Sequence, residues 1–177
     1  YMGVQIETEA PGTLGAMTVN ISDSQFLKNS NINLYVGARG AVTLTNVVAS
    51  GSANENGALI SNSSGTLPVT ITNSDFSNNG KRGLFINSNG AITINSVTVM
   101  NNNTDGAYLD NGTISSSTKG ITFLSTFGPN VFANSAYNGL TLRTRGNLVM
   151  NNVQVYSNGR DGLRAGSIVP NPLLGVG

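Results

Sequence analysis

The groups in this chain with the widest chemical range are its carboxylates, and they are few. Aspartate and glutamate together number eight. Asp75, Asp105, Asp110 and Asp161 are the ones to weigh as acid, base or cation ligand. Hydrolysis of a glycosidic bond needs two carboxyl groups about 5–9.5 Å apart, one to protonate the leaving oxygen and one to attack or to activate water. Asp105 and Asp110 flank one short apolar stretch and are the pair nearest to that requirement. The repeat described below places Asp105 beside Arg82 and Asp110 beside Arg143. Both are therefore expected in solvated ion pairs, each worth about 0–1 kcal/mol. Histidine and cysteine are absent. That excludes a Ser-His-Asp relay, a thiolate nucleophile, disulfides and most zinc ligand sets. No catalytic set, no metal-ligating set and no cofactor is expected.

The charge balance is equally plain. Nine basic residues against eight acidic give a net charge of +1. No run of Lys or Arg offers a footprint for nucleic acid or an anionic membrane. No apolar run reaches the eighteen residues of a spanning helix, so no membrane insertion is expected. The chain opens at Tyr1 without a charged-then-apolar leader, and is expected to be a processed or excerpted part of a longer product.

What would position any side chain here is a repeat. An apolar-x-apolar pair recurs as Val19–Ile21, Val42–Leu44, Val69–Ile71, Ile92–Ile94, Ile121–Phe123 and Leu148–Met150, at spacings of 23, 27, 23, 29 and 27 residues. Alternation with period two marks short strands, since a helix needs apolar residues at i, i+3, i+4 and i+7. A second pair follows a polar step: Ser24/Phe26, Val47/Ala49, Ser74/Phe76, Val97/Val99 and Val153/Val155. A third follows a turn: Ile32/Leu34, Ala58/Ile60, Leu84/Ile86, Ala107/Leu109, Leu140/Leu142 and Leu163/Ala165. Gly57, Gly83, Gly106, Gly139 and Gly162 each stand just before that third pair.

Three short strands per unit of about two dozen residues predict a three-sided coil. One coil cannot bury its own inward side chains. Coils stacked about 4.8 Å apart bury them together and pair every backbone group with the coil above and below. The fold class is thus all-β, a single-stranded parallel β-helix of about six coils. Its corners are polar. Asp23, Asn46, Asn73, Ser96, Ser125 and Asn152 stand between strands one and two, and Asn29, Ser52, Asn79, Asn102 and Asn158 follow strand two. Asparagine tolerates left-handed backbone angles, and its amide can donate to one neighbour while accepting from another. An asparagine ladder is expected through Asn46, Asn73 and Asn152 and through Asn79, Asn102 and Asn158.

Phrases such as GAITINSVTVMNNN at 90–103 and DGAYLD at 105–110 resemble the right-handed parallel β-helix repeats of the pectate-lyase-like superfamily. They are most similar to the versions found in large secreted bacterial surface proteins, including adhesins. The resemblance covers about residues 15–166 and implies an extracellular or cell-surface protein. That fold also carries lyases, glycosidases and tailspikes, so it does not fix a function. The family's lyases bind Ca²⁺ through clustered carboxylates and use an Arg base, and its polygalacturonases use several Asp with a nearby His. Neither pattern is matched by residues of this chain.

The outward positions of strand three read Asn33, Leu59, Phe85, Tyr108, Thr141 and Arg164. Leu59, Phe85 and Tyr108 fall on consecutive coils and are expected to form an apolar contact stripe. Its partner would be another subunit, a covering segment or a sugar ring on Tyr108; an aromatic ladder that only stabilises the stack is the plainer account. The outward positions of strand one carry Thr43, Thr45, Thr70, Thr72, Thr93 and Thr122, similar to the flat Thr-x-Thr faces of ice-binding β-helices, though threonine is also simply a good strand residue. Asn20, Asn62, Asn102 and Asn111 open glycosylation acceptor patterns.

The chain divides into an N-terminal extension or extra coil at 1–14, the β-helix at 15–166 and an extended tail at 167–177. Val4 to Ile6 is a candidate extra strand, and Pro11-Gly12 a turn. The tail is apolar and holds Pro170 and Pro172, so Ile168, Val169, Leu173 and Leu174 are expected to contact a partner: further coils of a longer chain or a second copy. The expected function is a noncatalytic structural or adhesive module that self-associates end to end as a filament or surface-layer subunit. The alternatives are a polysaccharide lyase or hydrolase, and a glycan-binding module using Tyr108 and Phe85.

Overall fold

The computed structural model describes residues 1–8, 16–112 and 118–166. Among them are sixteen strands and no helix. In chain order they are β1 (Val4–Glu7), β2 (Val19–Leu27), β3 (Leu34–Gly37), β4 (Val42–Ser50), β5 (Ala58–Asn62), β6 (Val69–Thr72), β7 (Leu84–Ser88) and β8 (Ile92–Asn95). Then follow β9 (Thr98–Met100), β10 (Ala107–Asp110), β11 (Ile121–Leu124), β12 (Asn130–Ala133), β13 (Leu140–Arg143), β14 (Leu148–Val149), β15 (Val153–Tyr156) and β16 (Leu163–Gly166).

They wind into a right-handed solenoid of about six coils with three parallel sheets. Sheet A runs β1-β3-β5-β7-β10-β13-β16, sheet B runs β14-β11-β8-β6-β4-β2, and sheet C runs β15-β12-β9. Strands β2 and β4 bend at the corner and pass from sheet B into the third wall, where Asp75 continues the ladder between Val48 and Thr98. Register is one-to-one. Val42 pairs with Val69, Val69 with Ile92, and Ile92 with Ile121.

Alternation decides which side chains are buried. Leu44, Ile71, Ile94 and Phe123 form one interior column; Ala58, Leu84, Ala107 and Leu140 form another; all are fully buried. Column neighbours compensate in size, as where Phe76 lies in line with Ala49 and Val99. Coil five is wider, and its Phe123 and Phe132 meet edge to face with centroids 6.0 Å apart. Such aromatic contacts add to plain area burial.

The corner between sheets B and C needs a left-handed residue. Asp23, Asn46, Asn73, Ser96 and Asn152 supply it, with φ between 47° and 58°. A non-glycine residue there costs about 1–2 kcal/mol, least for Asn and Asp. Side-chain bonds offset the strain: Asn46 donates to Asp23 Oδ1 at 2.8 Å and Asn73 to Asn46 Oδ1 at 2.6 Å. Ser125 does not take this role. Coil five turns instead through a longer loop in which Gly128 has φ 146°, and Asn95 and Ser96 hold that loop by bonds to Thr126, Phe127 and Gly128. The detour delays the second strand to β12, whose inward residues are Asn130 and Phe132. The alternating pairs of the sequence offer no second strand in coil five.

The ladder after sheet C works differently. Each asparagine there stands in for a peptide group. Asn79 Oδ1 accepts from Ser52 N at 3.0 Å, Asn102 Oδ1 from Asn79 N at 2.9 Å and Asn158 Oδ1 from Ser135 N at 2.9 Å. Their amides donate back to Ala49 O, Phe76 O and Phe132 O respectively. One rung joins side chain to side chain, Asn79 Nδ2 to Asn102 Oδ1 at 3.1 Å. The residue just before each of these corners is a second left-handed column: Lys28, Gly51, Asn78, Asn101, Asn134 and Ser157.

The first coil corrects one expectation. Its third strand buries Leu34 and Val36, which pair with Ala58 and Ile60. Asn33 is therefore not an outward residue. It is fully buried in the column of the preceding glycines, its Oδ1 accepting from Asn29 and its Nδ2 donating to Asn79. Val4–Glu7 is the extra strand, added to sheet A beside β3. Pro11-Gly12, Pro170, Pro172 and the tail contacts Ile168, Val169, Leu173 and Leu174 lie outside the described residues.

Candidate contact surface

The outer face of sheet A carries three rows of side chains. The central row reads Gln5, Tyr35, Leu59, Phe85, Tyr108, Thr141 and Arg164 by strand pairing. Tyr35 thus occupies the place expected for Asn33. One flanking row, at the corner leading into the sheet, holds Asn56, Arg82, Asp105, Asn138 and Asp161. The other holds Glu7, Gly37, Ser61, Asn87, Asp110, Arg143 and Gly166.

Tyr35, Leu59, Phe85 and Tyr108 are half-buried and contiguous. The Phe85 and Tyr108 rings stack with centroids 5.3 Å apart and planes 15° from parallel. That separation is close to the coil spacing, so the rings lie across the solenoid axis and present their edges outward. The Arg82 guanidinium lies 5.3 Å from the Phe85 centroid and 5.2 Å from that of Tyr108, and Arg143 lies 5.6 Å over Tyr108. Phe85 on one coil and Arg143 on the next cover Tyr108 from both directions. Burial pushes the Tyr108 phenol above the usual tyrosine value, against the lowering pull of Arg143 and Arg82.

Asp105 and Asp110 sit where the register put them, and six of the seven described carboxylates accept a hydrogen bond. Asp105 Oδ2 accepts from Arg82 Nε at 3.2 Å, and its Oδ1 accepts from Asn138 N and Nδ2. Asp110 is buried opposite Arg143 in the strand register, and its Oδ1 accepts from Gly112 N at 2.9 Å. Asp75 accepts from Ser77 Oγ, Asp23 from Asn46, Glu55 from Lys81 and Glu7 from Gln5. Asp161 is exposed two coils beyond Asp105 in the same column. Asn138 lies between them, bonded to Asp105 Oδ1 and accepting from Asp161 N. No group of three or more acids that could hold a metal ion is found among the described residues.

With the solenoid, its register and this face in place, the chain was compared with known proteins. Residues 12–169 match the family described as right handed beta helix region. The chain belongs to that family. This β-helix is consistent with the pectate-lyase-like superfamily in general. No curated protein and no solved structure matches it. The β-helix framework accounts for each described site residue: Leu59, Phe85 and Tyr108 come together on sheet A, whereas the asparagines serve corners away from it. The sequence alone offers Arg82 and Arg143 only as ion-pair partners. Their position over the rings follows from register, because Arg82 precedes Phe85 by three residues and Arg143 follows Tyr108 by one coil.

Of the four glycosylation patterns, three centre on buried asparagines in this β-helix: Asn62, Asn102 and Asn111 are at most 1% exposed. Asn20 is exposed. The threonine rows of sheet B remain half-exposed and end at Leu124 and Val149, both exposed apolar residues. No described helix is long and apolar enough to cross a membrane.

Proposed function

We propose that this β-helix is a noncatalytic structural module of the cell surface, a stiff rod that extends by adding coils at its ends. The observation that carries the reading is the engagement of its acids. Six described carboxylates already accept hydrogen bonds, three from a neighbouring coil and three from residues two positions away, and Asn138 fills the gap between Asp105 and Asp161. Glycosidic cleavage needs two carboxyls free to change protonation and to face a substrate between them. A sugar stacked on Tyr108 needs an open ring face, and Phe85 and Arg143 stand on either side of it.

Extension through the ends is supported by the terminal coils. Val4, Ile6, Ile21 and Phe26 at one end, and Val153 and Val155 at the other, point inward yet are only partly buried. Their counterparts in coils two to five are fully buried. Such edges pair with further parallel coils, from the same chain or another copy, by strand addition. A surface location rests on the resemblance of the repeats to those of secreted bacterial surface proteins. Negative-stain microscopy and sedimentation of the purified chain test the reading. Rods longer than one chain support it. Release of unsaturated or reducing ends from a panel of acidic polysaccharides would overturn the noncatalytic part.

A further inference from the structure

We propose that two copies of this β-helix pair side by side and antiparallel through the outer face of sheet A. This is a lateral contact, separate from any addition of coils at the ends.

The face has what such a contact requires. Its central row is apolar and contiguous over Tyr35, Leu59, Phe85 and Tyr108, on four successive coils of one sheet. Two sheets facing each other pack about 10 Å apart with their outward side chains interdigitated. A twofold interface must also complement itself, so that each residue meets an acceptable partner from the same surface.

Charge order selects the orientation. A twofold axis parallel to the solenoid would lay the Arg82–Asp105 row over the Asp110–Arg143 row at equal coil height. Asp105 would then oppose the partner's Asp110, carboxylate against carboxylate. A twofold axis along the strands, passing between β7 and β10, keeps each row over itself and exchanges coil three with coil four. Arg82 then faces the partner's Asp105, and Asp105 faces the partner's Arg82. Phe85 meets the partner's Tyr108, Leu59 the partner's Thr141, and Tyr35 the partner's Arg164. No like charges meet in the three rows. The Arg82–Asp105 pair, which in one copy bridges two coils, becomes half of a four-charge ring. Such rings add little affinity but fix register and reject wrong orientations.

The test uses charge reversal and mixing. Sedimentation equilibrium over a concentration series is expected to show the native chain in monomer–dimer exchange. Arg82→Asp alone and Asp105→Arg alone each set like charges across the twofold axis, and each is expected to weaken dimerisation at least about tenfold. An equimolar mixture of the two variants is different. One copy then presents two carboxylates and the other two guanidinium groups, so a heterodimer regains both ion pairs and native-like affinity. Each variant loses the same internal ion pair whether alone or mixed, so a stability defect cannot produce that rescue. A native chain that stays monomeric at millimolar concentration overturns the proposal. So does a mixture that associates no better than its components, or association that is indifferent to both variants, as end-to-end stacking would be.

Discussion

Ile71→Ala is the sharpest probe of the dry interior. Ile71 is fully buried in β6, between Leu44 of the coil before and Ile94 of the coil after. The change removes three carbons, worth about 2.4 kcal/mol at roughly 0.8 kcal/mol each. A cavity term adds to this. Leu44 and Ile94 are held by continuous backbone pairing on both sides and cannot collapse into the space. The expected cost is therefore about 3–4 kcal/mol, inside the range of about 2–5 for such truncations. Thr70→Ala is the control. It sits next along β6 but faces outward and half-exposed, so its cost is expected below about 1 kcal/mol. Thermal unfolding followed by circular dichroism should place the Ile71 variant roughly 6–16 °C below the native chain. Because each coil contacts only its neighbours, a defect in coil three should also make the transition less cooperative. Equal costs at the two positions would refute an interior made of one alternate set of each strand.

Three further outcomes follow from the corners and the ring stack. Asn79→Ala strips Ser52 N of its acceptor and Ala49 O of a donor; a loss of about 2–3 kcal/mol is expected in denaturant titration, and an effect under half a kilocalorie would remove the ladder from the account. Asn73, at φ 47°, is expected to tolerate Gly but to lose about 1–2 kcal/mol as Val; similar melting of the two variants would contradict the strained corner. Tyr108 gives a pH signature. Its folded phenol titrates above the usual value, so between the unfolded value near about 10 and the folded one the unfolded chain holds fewer protons, and stability falls as pH rises. Tyr108→Phe should flatten that part of the alkaline limb in melting curves; an unchanged limb would assign it to other groups.

Much of this β-helix was readable because its repeat is nearly literal. Period-two pairs locate both strand-one and strand-three walls, and the register they imply sets Arg82 beside Asp105. The reading failed where one residue type did another's work. In coil one, Ile32-Asn33-Leu34-Tyr35-Val36 alternates in a way that allows two frames, and the column glycine that selects the frame elsewhere is replaced by Asn33. Aligning Asn33 with Gly57 would have chosen the correct one and found Tyr35. In coil five the second strand was hidden because Asn130 fills an inward position otherwise held by Ser or Val, after a loop four residues longer than the one before β9's wall in coil four. The contact face was visible as a row of types, but not the ring orientation, since edge-out and face-out aromatics give the same sequence.

One column shows how this β-helix accommodates variable corners, and it yields a last prediction. The position after sheet A holds Ala38, Asn62, Ser88, Asn111 and Thr144 on successive coils. Small residues accompany the short corners, and asparagine accompanies the long ones. Asn62 Nδ2 donates to Leu67 O, and Asn111 Nδ2 donates to Lys119 O and Gly120 O, so each amide ties down carbonyls that the longer corner brings within reach. The matching Oδ1 atoms are buried without a partner, which makes asparagine a poor choice wherever that carbonyl is missing. Asn62→Ser is therefore expected to cost about 1–2 kcal/mol in the native chain. In a variant whose corner 63–68 is replaced by the Asn-Gly-Ala of 89–91, the same change should be neutral or stabilising. The coupling between the two edits, read from denaturant midpoints, is the measure. Equal costs in both backgrounds would mean that the asparagine serves the coil itself and not the loop.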